Sequence, residues 1–326
     1  MNVLIVGAAG MVGRKLTERL IADGGLGGAE ITRLTLYDVV PVTPPEGAPF
    51  EIEVGEGDLP DLRAVDEMLS SRPDVIFHLA AIVSGEAEAD FQKGYRINLD
   101  GTRLLFDRIA DIEGYTPRVV FTSSIAVFGA PFPDAIPDDF FRTPLTSYGT
   151  QKAIGELLLA DYSRRGLMNG VGIRLPTINV RPGKPNKAAS GFFSGIIREP
   201  LAGAEAVLPV SEDVRHWHAS PRSAVGFLVH AATMDTDRIG HRRNLSMPGV
   251  SVTVGEQIAA LRAVAGDAVA SRIRHEPDPV IMGIVEGWPR NFETSRAREL
   301  GFVAETSFEE IIRVHIDDEL GGEFVS

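Results

Sequence analysis

Apolar positions along the chain fall into two alternating rhythms. Asn2–Val6 is a short apolar run that breaks at glycines, and Met11 to Ala22 then reads as an amphipathic helix. A second run, Ile31–Tyr37, ends at Asp38. Further runs lie at Phe50–Val54, Val75–Leu79, Arg118–Thr122 and Val171–Leu175. Helical patterns separate them, clearest over Leu59–Ser71, Asn98–Ala110 and from Thr146 to about Arg164. The runs are continuous rather than alternating, as in strands covered on both faces. Strand and helix in turn predict an α/β fold, a doubly wound parallel sheet with right-handed crossovers and helices on both sides.

After Pro176 the texture changes. Pro182-Gly-Lys-Pro185 is a breaker cluster, followed by short helical patterns, a glycine-rich loop and short strands. Ala224–Ala232 reads as a helix returning to the first unit. The expectation is two interleaved units: 1–175 with about 220–245, and a smaller α+β unit from about 176–219 and 246–326.

Composition narrows the possibilities. With 326 residues and 44% apolar content there is material for such a core. The formal net charge of -13 repels phosphate backbones, so nucleic acid is not an expected partner, although a local arginine cluster can still hold a small anion. There are no cysteines, which excludes disulfides, thiolate zinc sites and cysteine nucleophiles. The apolar start lacks a basic leader and is interrupted by glycines, and no run of about twenty apolar residues occurs. Neither a secretory leader nor a membrane span is expected, and the reading is a cytoplasmic protein.

The first turn carries candidate chemistry. Gly7, Gly10 and Gly13 are spaced at three-residue intervals between a strand and a helix. Gly7 permits the tight turn, Gly10 admits a pyrophosphate against the backbone, and Gly13 lets the helix pack close to the sheet. The N–H groups at Met11 and Val12 would face the phosphates, where the helix dipole favours negative charge. With Asp38 closing the next strand, this is the pattern of a Rossmann-type dinucleotide site. The Asp38 carboxylate would accept from the adenosine ribose and repel a 2′-phosphate, which favours NAD over NADP. Asp58, with Leu59, follows the third strand, where it can contact the adenine edge, cap the following helix, or both. Leu79, Ala80 and Ala81 end the fourth strand as small or apolar residues beside the cofactor. His78 reads as a strand-end core residue.

Tyr148 and Lys152 are four apart on a helix and share a face. A phenol is a poor base at neutral pH, but a neighbouring ammonium favours the phenolate. Tyr148 can then take a proton from a substrate hydroxyl as the adjacent carbon gives hydride to a nicotinamide. Ser123 and Ser124 end the fifth strand at the sheet edge where ligands sit; a serine there can hold the substrate oxygen, and Ser123 is expected to contact the cofactor.

Taken in order, Gly7-x-x-Gly10-x-x-Gly13, Asp38, Asp58-Leu59, Ala80-Ala81, Asn98-x-x-Gly101-Thr102, Ser124-Ile-Ala-Val-Phe-Gly129 and Tyr148-x-x-x-Lys152 resemble the extended short-chain dehydrogenase/reductases, the NAD-dependent epimerase/dehydratase family. The resemblance covers about the first 230 residues. It implies NAD as cofactor, and Ser124, Tyr148 and Lys152 as the catalytic set. It further implies that Lys152 binds the nicotinamide ribose, that Asn98 shapes the site, and that Leu175-Pro176-Thr177 passes the nicotinamide carboxamide. A homodimer built from the helices around Asn98–Ala110 and Thr146–Arg164 is implied as well.

The substrate is read from the second half. Nucleotide-sugar members of the family carry an arginine followed by a Tyr/Phe-x-His-x-x-Asp pattern. Here Arg215 matches the arginine, but the acid is replaced and Arg222 stands near its place. Trp217-His-Ala-Ser-Pro-Arg222, with Arg174-Leu-Pro-Thr-Ile-Asn-Val-Arg181, is similar to the branch that oxidises the C2 hydroxyl of a four-carbon sugar acid to a 2-keto acid. A carboxylate wants a guanidinium, and Arg174, Arg181, Arg215 and Arg222 are available, with Arg181 and Arg215 favoured. Asn179 is a candidate for substrate hydroxyls or for the strand-end turn, and Ser84 is a further substrate candidate. The alternative is a nucleotide-sugar 4-epimerase that retains its NAD. His216 and His218 would share a strand face, but without a third ligand they suggest no metal site.

Overall fold

The apolar runs become strands of one sheet. In the computed structural model, which describes residues 1–183 and 189–326, these are β1 (Asn2–Val6), β2 (Arg33–Asp38), β3 (Glu51–Glu56), β4 (Val75–His78), β5 (Arg118–Ser124) and β6 (Asn169–Leu175). The Lys184-Pro185 part of the breaker cluster lies outside the described residues. Four later strands matter to the site: β7 (Thr177–Ile178), β8 (Arg215–Ala219), β9 (Asn244–Ser246) and β10 (Val250–Thr253).

The main sheet runs β9-β6-β5-β4-β1-β2-β3, and every pair is parallel. The order reverses between β1 and β4. At such a switch point the loops part at the carboxyl ends of the strands and leave a crevice. Gly7, Asp38, His78, Ser124 and Leu175 all lie at that edge.

Helices α1 (Met11–Asp23), α2 (Leu62–Leu69), α3 (Thr102–Asp111) and α4 (Ser147–Arg164) cover the sheet. α1 and the helix Pro221–Thr233 pack on one face with Val3, Ile5, Leu34 and Leu36. α2, α3 and α4 pack on the other with Leu4, Val6, Ile76 and Phe121. Leu105, Phe106 and Ile109 of α3 are fully buried, each contributing about 2 kcal/mol. Residues Ala297, Leu300, Phe302 and Ala304 also join the first of these cores.

Local chemistry shifts several boundaries. The helix expected from Leu59 starts only at Leu62, because Pro60 interrupts and Asp61 caps it, accepting from Arg63 N at 2.9 Å. Asp58 is therefore not its cap. The helix expected at Asn98 begins earlier, as Phe91–Gly94, and passes through a wide π-helical turn, Tyr95–Gly101, before α3. Thr146 caps α4 by accepting from Gly149 N at 3.0 Å.

Pro176 divides two sheets. It has no N–H to continue the β6 ladder, and Thr177 already belongs to a second sheet, β10-β8-β7. A separate apolar core, with Phe193, Ile197, Leu261, Phe308 and Ile312, lies in this part of the chain.

Candidate active site

The glycine turn is built as a close approach. Gly7 has φ +96°, and a Cβ there would lie 2.6 Å from Ala80 N. A Cβ at Gly13 would collide with the Gly7 carbonyl. At Gly10 the nearest neighbour of such a Cβ is the Gly7 carbonyl at 3.4 Å, so this face of the turn is open to a ligand. No side chain caps α1 and no acid sits in its first turn, which leaves the N–H groups at Met11 and Val12 facing a site that suits an anion.

Asp38 stands beside this turn. One carboxylate oxygen accepts from Ala9 N at 2.8 Å and the other from Val40 N at 3.3 Å. A carboxylate has further lone pairs for two ribose hydroxyls. Ala80 N and Leu79 N both donate to the Val6 carbonyl, which bends the end of β4 against the glycine turn, with Ala81 following. Asp58 pairs with Arg96 at 2.8 Å. The Leu59 side chain is core, packed beside Gly101, so only its backbone can face a cofactor. These residues fit an extended dinucleotide: an open phosphate turn, a ribose-side acid and small groups between them.

At the other end lie Ser124, Tyr148 and Lys152. Lys152 is buried, and its Nζ donates to the Thr122 carbonyl at 2.8 Å. Burial pulls its pKa down to about 7. The Ser124 hydroxyl accepts from Ala126 N at 3.1 Å and lies close enough to the Tyr148 phenol to influence it. Burial pushes the phenol up to about 12, against the opposing pull of Ser124 and of the Arg181 guanidinium. This corrects the expectation that Lys152 lowers the Tyr148 pKa. Desolvation dominates both groups, and the cation that favours the phenolate is Arg181.

Strand alternation separates the two serines. Ser124 turns towards Tyr148, whereas Ser123 points to the opposite face and donates to Glu156 Oε1 at 2.7 Å. The Ser123 side chain is thus not available to the cofactor. Asn98 holds the loop after β4, accepting from Ile82 N at 2.9 Å, donating to the Ile82 carbonyl at 3.2 Å and to Gln151 Oε1 at 2.8 Å. Gln151, next to Lys152, was missed; its place between the motif residues was the only signal. His78 is core, with Nε2 against Thr102 Oγ1 at 2.8 Å and its pKa pulled down to about 3 by burial. Ser84 starts the short helix Ser84–Ala89, whose Glu88 accepts from Ser147 N at 2.9 Å.

The four arginines part company. Arg181 lies near Tyr148, with Nε donating to the Ile178 carbonyl at 3.1 Å and Nη2 to Ser190 Oγ at 3.3 Å. Arg215 faces the other way. It is on the opposite face of β8 from His216, where it donates to the Ser251 carbonyl at 2.9 Å and pairs with Glu256 at 3.2 Å. Arg222 is a surface ion pair with Asp318 at 2.5 Å. Arg174 is 1% exposed and grips Glu156 through two bonds of 2.8 and 2.9 Å. Of the two favoured arginines, only Arg181 is brought to the site, because strand periodicity sends Arg215 outward.

Asn179 is likewise committed within the protein. It donates to the Phe193 carbonyl at 3.2 Å and accepts from Ser194 Oγ at 2.9 Å, anchoring the helix Gly191–Leu201. His216 and His218 do share a face, with ring centroids 5.3 Å apart. His216 Nε2 meets Thr177 Oγ1 at 2.6 Å, and its ring stacks on Phe193. Trp217 is core, donating to the Met247 carbonyl at 3.2 Å.

A half-buried phenol, a lysine and a serine at the nicotinamide end of a dinucleotide cleft can move a proton and a hydride together, which defines the class: a nicotinamide-dependent oxidoreductase. The chain belongs to the NAD dependent epimerase/dehydratase family, whose model matches residues 3–237, and NAD is its cofactor. It is 48% identical over 323 residues to the D-erythronate dehydrogenase of Cupriavidus necator, covering 98% of each chain. It is 40% identical over 317 residues to that of Haemophilus influenzae, covering 97% of this chain and 99% of the relative. A crystal structure described as the nucleoside-diphosphate-sugar epimerase from Agrobacterium tumefaciens is 65% identical, with a TM-score of 0.97 over 99% of this chain and 95% of its own. No helix among the described residues is long and apolar enough to cross a membrane.

Proposed function

We propose that this chain oxidises the C2 hydroxyl of a small sugar acid, D-erythronate or a near relative, to the 2-keto acid. The observation that carries this reading is the Arg181 guanidinium within electrostatic reach of the Tyr148 phenol, the proposed proton acceptor. A 2-hydroxy acid has its carboxylate on the carbon bonded to the reacting one, so the cation belongs close to the phenol. The two D-erythronate dehydrogenases to which the chain is similar support the same substrate.

NAD, when bound, supplies the hydride acceptor. Gly7, Gly10, Met11, Val12 and Gly13 hold its phosphates, and Asp38 its adenosine ribose. Asp58, Leu59, Leu79, Ala80, Ala81, Asn98 and the segment Leu175-Pro176-Thr177 line its path. Arg181 binds the substrate carboxylate. Ser124 holds the C2 hydroxyl, and Tyr148 takes its proton as the C2–H bond gives up its electron pair. Lys152 donates to the nicotinamide ribose, and Arg181 favours the Tyr148 phenolate. Ser84 and Asn179 border the substrate, Asn179 through its grip on the helix that follows.

Nucleoside-diphosphate sugars are the second reading, favoured by the description of the 65% identical structure. Arg215, the residue that matches the diphosphate-binding arginine, is tied to Ser251 and Glu256 instead. A panel of sugar acids and nucleotide sugars with NAD separates the two, since only a dehydrogenase accumulates free NADH.

Cofactor choice is testable at one residue. Asp38→Ser removes the charge that repels a 2′-phosphate, so the wild-type preference for NAD over NADP should fall by at least about tenfold in kcat/KM. An unchanged ratio would sever Asp38 from the ribose. The reading includes a cytoplasmic homodimer built from the helices around Asn98–Ala110 and Thr146–Arg164, where Phe91 and Leu157 are exposed. A mass in solution tests it.

A further inference from the structure

One carboxylate lies behind the catalytic residues, with both oxygens committed to donors of the protein itself. Glu156 follows Lys152 by one turn of α4, on the same face, and is fully buried. Its Oε1 accepts from Ser123 Oγ at 2.7 Å and from Arg174 Nε at 2.8 Å. Its Oε2 accepts from Arg174 Nη2 at 2.9 Å and from Arg142 Nη1 at 3.3 Å. Arg174 continues the chain of contacts, donating to the Asp138 carbonyl at 3.0 Å and to Ser246 Oγ at 3.2 Å. The Asp138 carboxylate in turn accepts from Ser246 N at 2.8 Å and from Arg296 at 2.5 Å.

The partners of Glu156 are neighbours of site residues. Ser123 precedes Ser124 on β5. Arg174 precedes Leu175-Pro176-Thr177 on β6. Glu156 itself sits on the helix of Tyr148 and Lys152. The three segments that present the proposed catalytic and nicotinamide-side groups therefore meet at a single carboxylate. A buried ion pair is weak evidence for net stability, because desolvation offsets the attraction. Its directional, fully satisfied bonds are strong evidence for fixed geometry.

We propose that Glu156 is a positioning residue for the dehydrogenation, setting Ser124, Tyr148 and the 175–177 segment in their reactive arrangement through Ser123 and Arg174. The inference rests on the reading of Ser124, Tyr148 and Lys152 as the catalytic set. Misplacement of reacting groups by about 1 Å can cost 10²-fold in rate. Glu156→Gln keeps the shape but loses the charge and one acceptor. It should lower kcat about 30-fold while the NAD Kd and the substrate KM stay within about threefold. Ser123→Ala deletes one hydrogen bond with little risk to folding, and should lower kcat about fivefold. Because the Ser123 bond is one of those that Glu156 accepts, the two losses overlap, and the double variant should be slowed by less than the product of the two single effects.

The experiment is a purified full-length series, Ser123→Ala, Glu156→Gln, the double variant and Tyr148→Phe, assayed for kcat, KM, NAD Kd and Tm. Wild-type kcat in Ser123→Ala overturns the proposal, and so does a rate loss explained by a smaller folded fraction. If Glu156→Gln does not fold, Ser123→Ala alone decides. Full activity in Tyr148→Phe would instead overturn the catalytic reading on which the inference stands.

Discussion

Replacing Tyr148 by Phe lowers kcat by about 10³-fold and leaves NAD binding within about threefold of the wild type. The size follows from the loss of the proposed proton acceptor beside Ser124. The small binding effect follows because the ring stays while its hydroxyl goes. Stopped assays of NADH formation and a titration of NAD by protein fluorescence measure the two quantities. Retention of most of the rate would remove Tyr148 from the chemistry. Replacing Lys152 by Met is the companion change. Burial pulls the Lys152 pKa down to about 7 and its Nζ donates to the Thr122 carbonyl, so its loss should disturb both the proposed ribose contact and the strand end.

Arg181→Met raises the KM for a sugar acid and lowers kcat/KM by about 10²- to 10³-fold, the cost of a carboxylate left without its charge-assisted partner. A second effect has a definite sign. Oxidation needs a phenol oxygen free of its proton, so the rate rises with pH towards the Tyr148 pKa. Arg181 pulls that pKa down. Removing the guanidinium therefore moves the rising limb to higher pH, and Arg181→Lys moves it back without restoring the KM. Arg215→Ala, which breaks only an exposed pair with Glu256 and one bond to a carbonyl, stays within about threefold. Equal losses at the two arginines would contradict the assignment of the substrate end.

Legibility in the sequence followed the range of the physics involved. The sheet was readable because buried parallel strands leave continuous apolar runs, and the glycine turn was readable because steric limits at Gly7 and Gly13 demand a missing side chain. Thr146 marked the start of α4 because capping is local. What failed was orientation. Adjacent serines give no hint of which faces the cleft until the strand is placed, and Ser123 went to Glu156. Arg215 matched a pattern but pointed outward, since one residue of register decides a face. The sign of the Tyr148 pKa failed for another reason. Sequence spacing reveals a nearby lysine, but not how deeply the phenol is desolvated or that Arg181 arrives from a segment 33 positions on.

The most direct test of the central claim incubates the protein with NAD and D-erythronate, and separately with UDP-glucose, and follows free NADH and sugar epimers together. A dehydrogenase of small sugar acids produces NADH in proportion to the D-erythronate consumed and leaves UDP-glucose unchanged. Epimer formation from UDP-glucose, with no NADH released from any sugar acid, would contradict it.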